Sequence, residues 1–261
     1  MTDRIPARKI LIGIGFAATQ AAIIAGFILV WQYGANNGSI NQFTFGSPSG
    51  VWNSLQDLAA SGSLWGHIWE TIKILLLGQL IGTLAGTLLG VGISFSPYLR
   101  EILEPFIVFL NATPRLILYP FFVVWLGFSS APKIITVALV VFTLVMINIA
   151  SGLREVQGSL VDNIRVLGAN RLHLIRDVYG PSLTLWLLST TRVTMTYAFQ
   201  ATIATQFLGA DKGLGYLVNF GRQRFQIDLV YASIVVILII ALVLHAILGS
   251  VERRTTRWMS T

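Results

Sequence analysis

The chain alternates between long apolar runs and short polar segments. Runs of about 18 or more mostly apolar residues are long enough to cross a bilayer. The pattern predicts six membrane-spanning helices, at residues 10–32, 67–95, 103–127, 132–152, 181–207 and 229–250. The first run is longer than the apolar part of a usual signal peptide, which favours a retained span over a cleaved one. We therefore expect an all-α integral membrane protein with a single domain over residues 1–261.

Composition agrees with a membrane protein and excludes several other classes. Hydrophobic residues make up 54% of the chain and charged residues only 11%, whereas soluble domains carry about 25% charged residues. The absence of cysteine excludes disulfides and thiol catalysis. The net charge is +7, yet no basic patch is interleaved with aromatic residues, as a nucleic-acid surface would need. We expect membrane lipid and no nucleic acid around this chain.

The distribution of Lys and Arg predicts the orientation in the membrane. With the N-terminus inside, eleven of these residues fall at inside positions and four at outside positions. The four outside residues are Lys133, Lys212, Arg222 and Arg224. Because positive residues accumulate on the cytoplasmic side, we expect a multi-pass protein of the bacterial inner membrane with both termini in the cytoplasm. The polar segment 156–180, between spans four and five, then faces the cytoplasm.

Residues 43–65 form a predicted outer segment that is too short to be an enzyme domain. Ser47 or Ser49 is a suitable N-cap for a short helix within it. The apolar residues that share one face of this helix are Val51, Trp52, Leu55, Leu58 and Ala59. This pattern predicts an amphipathic helix that lies on the outer membrane interface.

The second predicted span carries a glycine at every fourth position. The row consists of Gly78, Gly82, Gly86 and Gly90. It leaves one stripe of the helix without side chains, so that another helix can approach its backbone closely. That helix belongs either to the same chain or to another subunit, and the pattern favours packing within the chain.

The stretch "DNIRVLGANRLHLIRDVYGP", residues 162–181, is polar and lies between two apolar spans. Its pattern predicts two short helices with a turn at Gly168, and Asn170 is a good N-cap for the second helix, 171–178. The pair Gly180-Pro181 is expected to end that helix, with Pro181 in the first turn of the next span. From its residues alone, the stretch is either a docking element or an elbow on the membrane surface, where its arginines meet anionic lipid headgroups.

This stretch resembles the cytoplasmic loop of binding-protein-dependent ABC importer permeases, whose pattern is E-A-A-x3-G-x9-I-x-L-P. The motif positions are occupied, without a gap, by Asp162, Asn163, Ile164, Gly168, Val178, Gly180 and Pro181. Gly168 and Pro181 are identical to the pattern. "TPRLILYPFFVVWLGFSSAPKI" and "QFLGADKGLGYLV" are similar to the nitrate/sulfonate/taurine branch of these permeases. The resemblance extends from about Gly46 to Trp258.

The resemblance implies that the loop contains a coupling helix that docks on a separate cytoplasmic ATP-binding subunit, present in two copies. The residues it places in this contact are Leu167, Gly168, Ala169, Leu172 and His173, with Asp162 and Arg165 at the rim. The chain contains no G-x-x-x-x-G-K-[ST] sequence, so ATP and Mg are expected on the partner, and no catalytic residue or metal site is expected here. The family also implies a second permease copy or a close relative, and an extracytoplasmic solute-binding protein.

Polar residues within the spans are candidates for the solute pathway, because charges inside a bilayer are costly and normally face a cavity or a partner. The predicted pathway residues are Pro114, Arg115, Arg192, Tyr197, Gln200 and Gln206. Pro114 and Pro120 interrupt a helix and free backbone carbonyls such as that of Leu110. Arg115 therefore either faces the pathway or bonds to those carbonyls. Arg192 lies close to the middle of its span.

Three functions remain to be compared. The first is the permease subunit of an ATP-driven importer for a small anionic solute, such as a sulfonate, nitrate or carboxylate, with an importer of a pyrimidine or aromatic vitamin precursor as the alternative. An ion-coupled secondary carrier would need carboxylates within the membrane, where only Glu70 is a candidate, and Glu70 is close enough to Lys73 in sequence to pair with it. A membrane-embedded enzyme is disfavoured because His67, His173 and His245 lie on three different segments.

Overall fold

The computed structural model describes residues 7–155 and 170–256, and every regular element within these two ranges is helical. The helices are α1 (Ala7–Asn36), α2 (Gln42–Phe45), α3 (Pro48–Ala60), α4 (Ser63–Phe95), α5 (Pro97–Ala112), α6 (Tyr119–Leu126), α7 (Ser130–Arg154), α8 (Arg171–Leu174), α9 (Gly180–Gly209), α10 (Leu214–Gln223) and α11 (Ile227–Thr256). A 3₁₀ turn, Arg115–Leu118, precedes α6, and a π-helical turn, Ile175–Tyr179, joins α8 to α9. The fold is thus all-α, as predicted.

Within the described ranges, four helical stretches are long and apolar enough to cross a membrane. They are Ala18–Asn36, Ser63–Phe95, Ser130–Arg154 and Ile227–Ser250. A fifth is added if α5 and α6 together form one broken span. α9 is long enough at 30 residues, but threonine, glutamine and arginine interrupt its apolar pattern. The structure confirms a multi-pass helical protein, whereas length and composition do not establish the predicted count of six spans.

The third predicted span, 103–127, is broken into two helices near the prolines that were expected to interrupt it. α5 begins earlier, at Pro97, and ends at Ala112, and the axis then turns by 92° before the second part of the span. Pro114 lies in extended conformation at the break, and Pro120 lies in the first turn of α6. Since a proline there removes a backbone donor and blocks the preceding turn, the predicted interruption at these prolines is confirmed.

The glycine row of α4 packs against α7, which confirms the predicted helix contact within the chain. A Cβ atom placed on Gly82, Gly86 or Gly90 would come within 2.5–2.8 Å of a backbone carbonyl oxygen of α7. The valines that meet the row, among them Val137 and Val141, are completely buried. The two backbones therefore approach each other at a distance that only glycine permits.

The helix does not end at Gly180-Pro181, which contradicts the prediction from sequence. The backbone stays helical from Arg171 to Gly209, because the π-helical turn Ile175–Tyr179 widens just before the proline. The Gly180 N–H donates to the carbonyl oxygen of Ile175, five residues earlier. A Cβ on Gly180 would lie 2.9 Å from that oxygen, so glycine allows the wider turn, and the turn accommodates a proline that would otherwise clash with the preceding helix.

The predicted amphipathic outer helix is present as α3. The Ser47 side chain caps it by accepting a hydrogen bond from the Gly50 N–H at 3.0 Å. Val51 is buried on its inner face, whereas Trp52 remains exposed. α1 differs from the other long helices, since only 6% of its most apolar window is buried within this chain.

Candidate functional site

The helix bundle has two ends, which we call proximal and distal. The proximal end holds Arg154 and Asn170, which flank a segment that lies outside the described residues. The distal end holds the turn 210–213 between α9 and α10. α9 connects the two ends with 30 residues, which corresponds to about 45 Å at 1.5 Å per residue. Of the predicted coupling residues, Leu172 and His173 belong to the short helix that follows Asn170 at the proximal end.

Only part of the predicted coupling contact lies within the described chain. Five of its residues lie outside it: Asp162, Arg165, Leu167, Gly168 and Ala169. The backbone of Leu172 lies in α8, but its side chain is likewise outside the described residues. His173 is exposed, its backbone N–H donates to Asn170 Oδ1 at 3.0 Å, and its ring Nδ1 lies 2.8 Å from the same oxygen. The prediction that Asn170 caps this helix is confirmed.

α9 has one face covered by the rest of the chain and one face that is not. The covered face packs on α4 and α7 and consists mainly of small residues, namely Thr190, Thr194, Ala198, Ala201, Thr202 and Thr205. The uncovered face carries four exposed polar residues, Ser189, Thr196, Tyr197 and Gln200, which together with the exposed Val193 between them recur at the three- and four-residue spacing of one helix side. We call these four residues the polar stripe. It includes two of the predicted pathway residues, Tyr197 and Gln200.

Most hydroxyl groups on α9 are satisfied by the helix itself. Thr191 Oγ1 donates to the carbonyl oxygen of Leu187 at 2.7 Å, and Thr202 Oγ1 donates to that of Ala198 at 2.8 Å. Such back-bonding lets threonine lie inside a bundle without an unpaired hydroxyl. The Gln200 amide is different, because within the described ranges it has no hydrogen-bond partner. Gln200 is therefore available to water or solute.

Arg192 is half-buried beside the polar stripe and contacts α11. Its Nη2 lies 3.1 Å from Nε2 of His245. Because a guanidinium can only donate, the histidine nitrogen must accept, which places the proton of a neutral His245 on Nδ1. The sequence does not connect these two residues, since 53 positions separate them and a lone histidine belongs to no recognisable motif.

Gln206, also a predicted pathway residue, lies on the covered side of α9 in a cluster of hydrogen bonds. Its side chain is fully buried, and its Oε1 accepts from Thr71 Oγ1 at 3.0 Å and from the Gly215 N–H at 3.2 Å. Thr71 Oγ1 in turn accepts from the Leu214 N–H at 3.0 Å. His67 Nδ1 accepts from the Gly213 N–H, also at 3.0 Å. These side chains, His67, Thr71 and Gln206, form what we call the distal cluster, and they hold the turn after α9 against α4.

Further contacts fix the same turn to α6 and α7. Tyr119 Oη donates to the carbonyl oxygen of Gly209 at 2.6 Å. Lys133 was predicted at an outside position, but it lies in the first turns of α7 with only 3% of its side chain exposed, 3.9 Å from the carboxylate of Asp211. Nearby, Glu70 accepts from Ser130 and pairs with Lys73 at 3.0 Å. A turn held from three helices is expected to move together with them.

Arg115 follows Pro114 in the 3₁₀ turn that joins α5 to α6, and this turn contacts α7 and α9. Its guanidinium donates to Asn111 Oδ1 at 2.9 Å, a side-chain oxygen one turn earlier, rather than to the carbonyl of Leu110. Arg115 is half-buried, and its Nε has no hydrogen-bond partner. A second buried atom without a partner is Oε1 of Gln79 on α4, whose Nε2 donates to Thr194 Oγ1 at 2.8 Å.

Metal ligation is not supported by the arrangement of the described residues. In residues 7–155 and 170–256, no group of three or more His, Asp or Glu side chains is placed to hold a metal ion. What the arrangement offers is a polar helix face, a neighbouring guanidinium and a firmly held distal turn. These features suit the passage of a polar solute better than bond-making chemistry.

The chain is similar to solved structures in its fold and to known transport proteins in its sequence. The fold is similar to that of a chain in the inward-facing MetNI methionine ABC transporter, with a TM-score of 0.65 and 18% identity, covering 76% of this chain and 99% of the other. The taurine transport system permease protein TauC of Escherichia coli is 27% identical over 90% of this chain and 87% of its own length. The riboflavin transport system permease protein RibX of Chloroflexus aurantiacus is 29% identical over 88% of this chain and 86% of its own.

The sequence also matches one protein family over more than half of its length. The match covers residues 78–257, beginning at the first residue of the glycine row. It therefore includes the α4–α7 interface, the polar segment 156–180, the polar stripe and Gln206 of the distal cluster. On this match the chain belongs to the family of binding-protein-dependent transport system inner membrane components, the permease subunits of ABC importers.

Proposed function

We propose that this chain lines one side of the solute pathway of an ATP-driven importer for a small anionic solute. The observation that carries the proposal is the polar stripe of α9, whose four polar side chains stay exposed on a long helix, whereas the other long helices expose many large apolar side chains. An amide or hydroxyl in contact with lipid tails costs free energy that no partner compensates. The stripe is therefore expected to face water, solute or a second copy of the permease rather than lipid.

The two arginines among the pathway candidates support an anion as the solute. Arg192 lies beside the polar stripe, and Arg115 is half-buried in the turn that contacts α9. Guanidinium groups bind sulfonate, nitrate and carboxylate groups through charge-assisted hydrogen bonds. The name of the relative TauC refers to taurine, a sulfonate, which agrees with this charge.

A second candidate solute is an aromatic vitamin precursor, and the presence of Tyr197 in the polar stripe favours it. The relative RibX is named for riboflavin, and the polar stripe contains Tyr197, whose ring could stack on an aromatic solute. An ion-coupled secondary carrier is less well supported. The carboxylate of Glu70 is already engaged by Ser130 and Lys73, which leaves no unpaired carboxylate on α4 for a coupling ion.

The direct test is uptake by the complete transporter in proteoliposomes. We expect Gln200→Leu and Arg192→Gln to reduce uptake of a sulfonate by about tenfold or more, as loss of a contact worth roughly 1.4 kcal/mol predicts. Thr184→Ala, exposed on the same helix but outside the stripe and bonded to its own helix, serves as the matched control and should leave uptake nearly unchanged. Unchanged uptake in both first variants would refute a pathway along this stripe.

For the coupling contact, we propose that the segment around Gly168 docks on a separate ATPase, present in two copies that bind ATP and Mg. A second permease copy, or a close relative, would complete the pathway, and an extracytoplasmic binding protein would deliver the solute. The proposed contact residues remain Asp162, Arg165, Leu167, Gly168, Ala169, Leu172 and His173. The uninterrupted helix from Arg171 to Gly209 supports this proposal, since it joins the docking end to the distal turn without a flexible joint.

Co-purification tests the coupling contact separately from the pathway. Leu172→Asp and Gly168→Asp are expected to abolish recovery of the ATPase with tagged permease, because a buried carboxylate in an apolar contact is strongly unfavourable. Gln223→Asp places the same charge at an exposed site of the distal end and should recover the ATPase normally. Normal recovery with all three variants would refute docking at this segment.

A further inference from the structure

A groove at the proximal end combines four charged side chains with an apolar floor. It lies between the α4–α5 corner and the last turns of α7. Its polar part is a cavity of about 310 Å³, and its apolar part is a cavity of about 170 Å³. Both parts share Ile93, Arg100, Glu104 and Arg154 in their linings. The two cavities therefore form one continuous groove, which we call the proximal groove.

The charged groups of the proximal groove are Arg100, Glu101, Glu104 and Arg154. All four are exposed, and none forms an ion pair with another described residue. Arg100 and Glu104 are four residues apart on α5, a spacing that often allows such a pair. Two cationic and two anionic groups thus line the same cavity while their charges remain available to a ligand.

The apolar part of the groove extends away from these charges toward the interior of the bundle. Its lining includes Ile107, Val108, Met146 and Ile147. Met146 is almost completely buried, whereas Val108 is exposed along the rim. This narrow apolar channel, with charges at only one end, has the polarity of a lipid that lies with its headgroup at the membrane surface.

We propose that the proximal groove binds a phospholipid whose headgroup carries one phosphate, one primary ammonium and no further charge, that is, phosphatidylethanolamine. The phosphate lies between Arg100 and Arg154, which offer forked donors suited to its oxygens. The ammonium lies against Glu101 and Glu104, and one acyl chain follows the apolar lining. This proposal does not depend on the solute or on the direction of transport.

Charge complementarity distinguishes this lipid from other membrane lipids. Phosphatidylglycerol has a phosphate but no cation, so its headgroup would leave the two glutamates beside an anion. Phosphatidylcholine has a cation without N–H donors, so it cannot donate hydrogen bonds to the carboxylates. Phosphatidylserine adds a carboxylate that would lie beside the two glutamates. Only a headgroup with one phosphate and one hydrogen-bonding cation therefore matches all four side chains of the groove.

The position of the groove gives the bound lipid a consequence for the transporter. Arg154 is the last residue of α7 and lies at the start of the segment proposed to dock on the ATPase. Arg100 belongs to α5, the first half of the broken span. A lipid held between them would connect these two elements, so the headgroup composition of the membrane would influence ATPase coupling.

The test uses the full-length permease co-expressed with its ATPase, in nanodiscs with equal amounts of phosphatidylethanolamine and phosphatidylglycerol. Native mass spectrometry after partial delipidation measures which lipid is retained. We expect phosphatidylethanolamine to be retained preferentially, and the double variant Arg100→Gln/Arg154→Gln to reduce its retention about tenfold, as loss of charge-assisted hydrogen bonds predicts. The double variant Glu101→Gln/Glu104→Gln should retain phosphatidylglycerol at least as well as phosphatidylethanolamine.

A matched control is the double variant Arg222→Gln/Arg224→Gln, which removes two exposed arginines at the distal end and should retain lipid as the unchanged protein does. Thermal unfolding of each variant separates lipid loss from misfolding. Equal retention of both lipids by the unchanged protein would overturn the proposal. So would a structure of the assembled transporter in which the ATPase or the second permease copy fills the groove.

Discussion

α7 and α9 both pack against α4, yet they do so by different means. α7 meets the glycine row of α4 with branched apolar side chains, and 56% of its most apolar window is buried within the chain. α9 meets α4 through hydrogen bonds from Gln79 and Thr71, and it leaves its polar stripe uncovered. The same helix thus has one interface defined by shape and one defined by polar pairing.

This difference assigns different roles to the two interfaces. A tightly interlocked apolar contact resists sliding, because any shift creates overlap or cavities. Hydrogen bonds between side chains are fewer and can be exchanged for bonds to water. We therefore interpret the α4–α7 contact as rigid, and the α4–α9 contact, whose hydrogen bonds can be exchanged, as the more adaptable of the two.

The largest expected effect comes from adding a side chain to the rigid interface. Gly82→Val would place its Cβ 2.5 Å from the carbonyl oxygen of Ala138, so the two backbones must separate. We expect a destabilisation of about 3 kcal/mol or more, at the upper end of overpacking costs. Thermal unfolding in detergent, followed by size-exclusion chromatography, measures it.

The control for this variant lies on the same helix. A Cβ atom added to Gly66 would meet no neighbouring residue within 4 Å, so Gly66→Val should unfold at nearly the temperature of the unchanged protein. If both variants unfold alike, the glycine row does not define the α4–α7 interface.

A smaller effect is expected at the distal cluster. Thr71→Val keeps the shape of the side chain but removes the acceptor of the buried Leu214 N–H. An unpaired buried donor costs roughly 1–3 kcal/mol. Hydrogen exchange of the amides at residues 213–215 should accelerate, while Thr184→Val, an exposed threonine bonded to its own helix, should leave these amides protected. Unchanged exchange in Thr71→Val would show that the cluster does not hold the turn.

Gln79, in the contact between α4 and α9, should tolerate substitution better than Thr71 does. Gln79→Leu removes the bond to Thr194 but also removes a buried oxygen without a partner. Because these two effects oppose each other, we expect the free energy of unfolding to change by no more than about 1 kcal/mol. A loss as large as that of Gly82→Val would mean that both interfaces of α4 are rigid.

The smallest effect is expected at the ion pair between Glu70 and Lys73. The Lys73 side chain is 37% exposed, and pairs of this kind contribute roughly 0.2–1 kcal/mol. Lys73→Gln should therefore lower the free energy of unfolding by less than Thr71→Val does. At high salt, Lys73→Gln should be as stable as the unchanged protein, because salt screens the ion pair. A loss of stability that does not depend on salt would indicate that Lys73 takes part in a buried interaction rather than in an exposed ion pair.

Features that depend on neighbouring residues could be predicted from the sequence. The cap at Ser47, the interruption at Pro114 and the glycine row of α4 all follow from local backbone rules, and the structure confirms them. Contacts between distant positions could not be predicted in this way. Thr71 and Gln206 are 135 residues apart, and nothing in the spacing of either residue indicates the other.

The turn before Gly180-Pro181 shows how a rule about neighbouring residues can give the wrong prediction. Gly180-Pro181 usually ends a helix, and it would do so here if the preceding turn were α-helical. The π-helical turn moves the carbonyl groups that a proline would meet, so the local rule no longer applies. The burial of Lys133 could not be predicted either, since its partner Asp211 lies in a distant part of the sequence.

The extra residue in the turn Ile175–Tyr179 has a geometric consequence. In a regular α-helix each residue advances the side-chain direction by about 100°. One inserted residue therefore rotates the side chains of α8 about the helix axis by roughly 100°, compared with where an unbroken α-helix would place them relative to α9. Removing a single residue from this turn would rotate His173 around the helix axis while leaving Tyr197 and Gln200 in place. The turn therefore sets the rotation of the proximal end of this helix relative to its distal end.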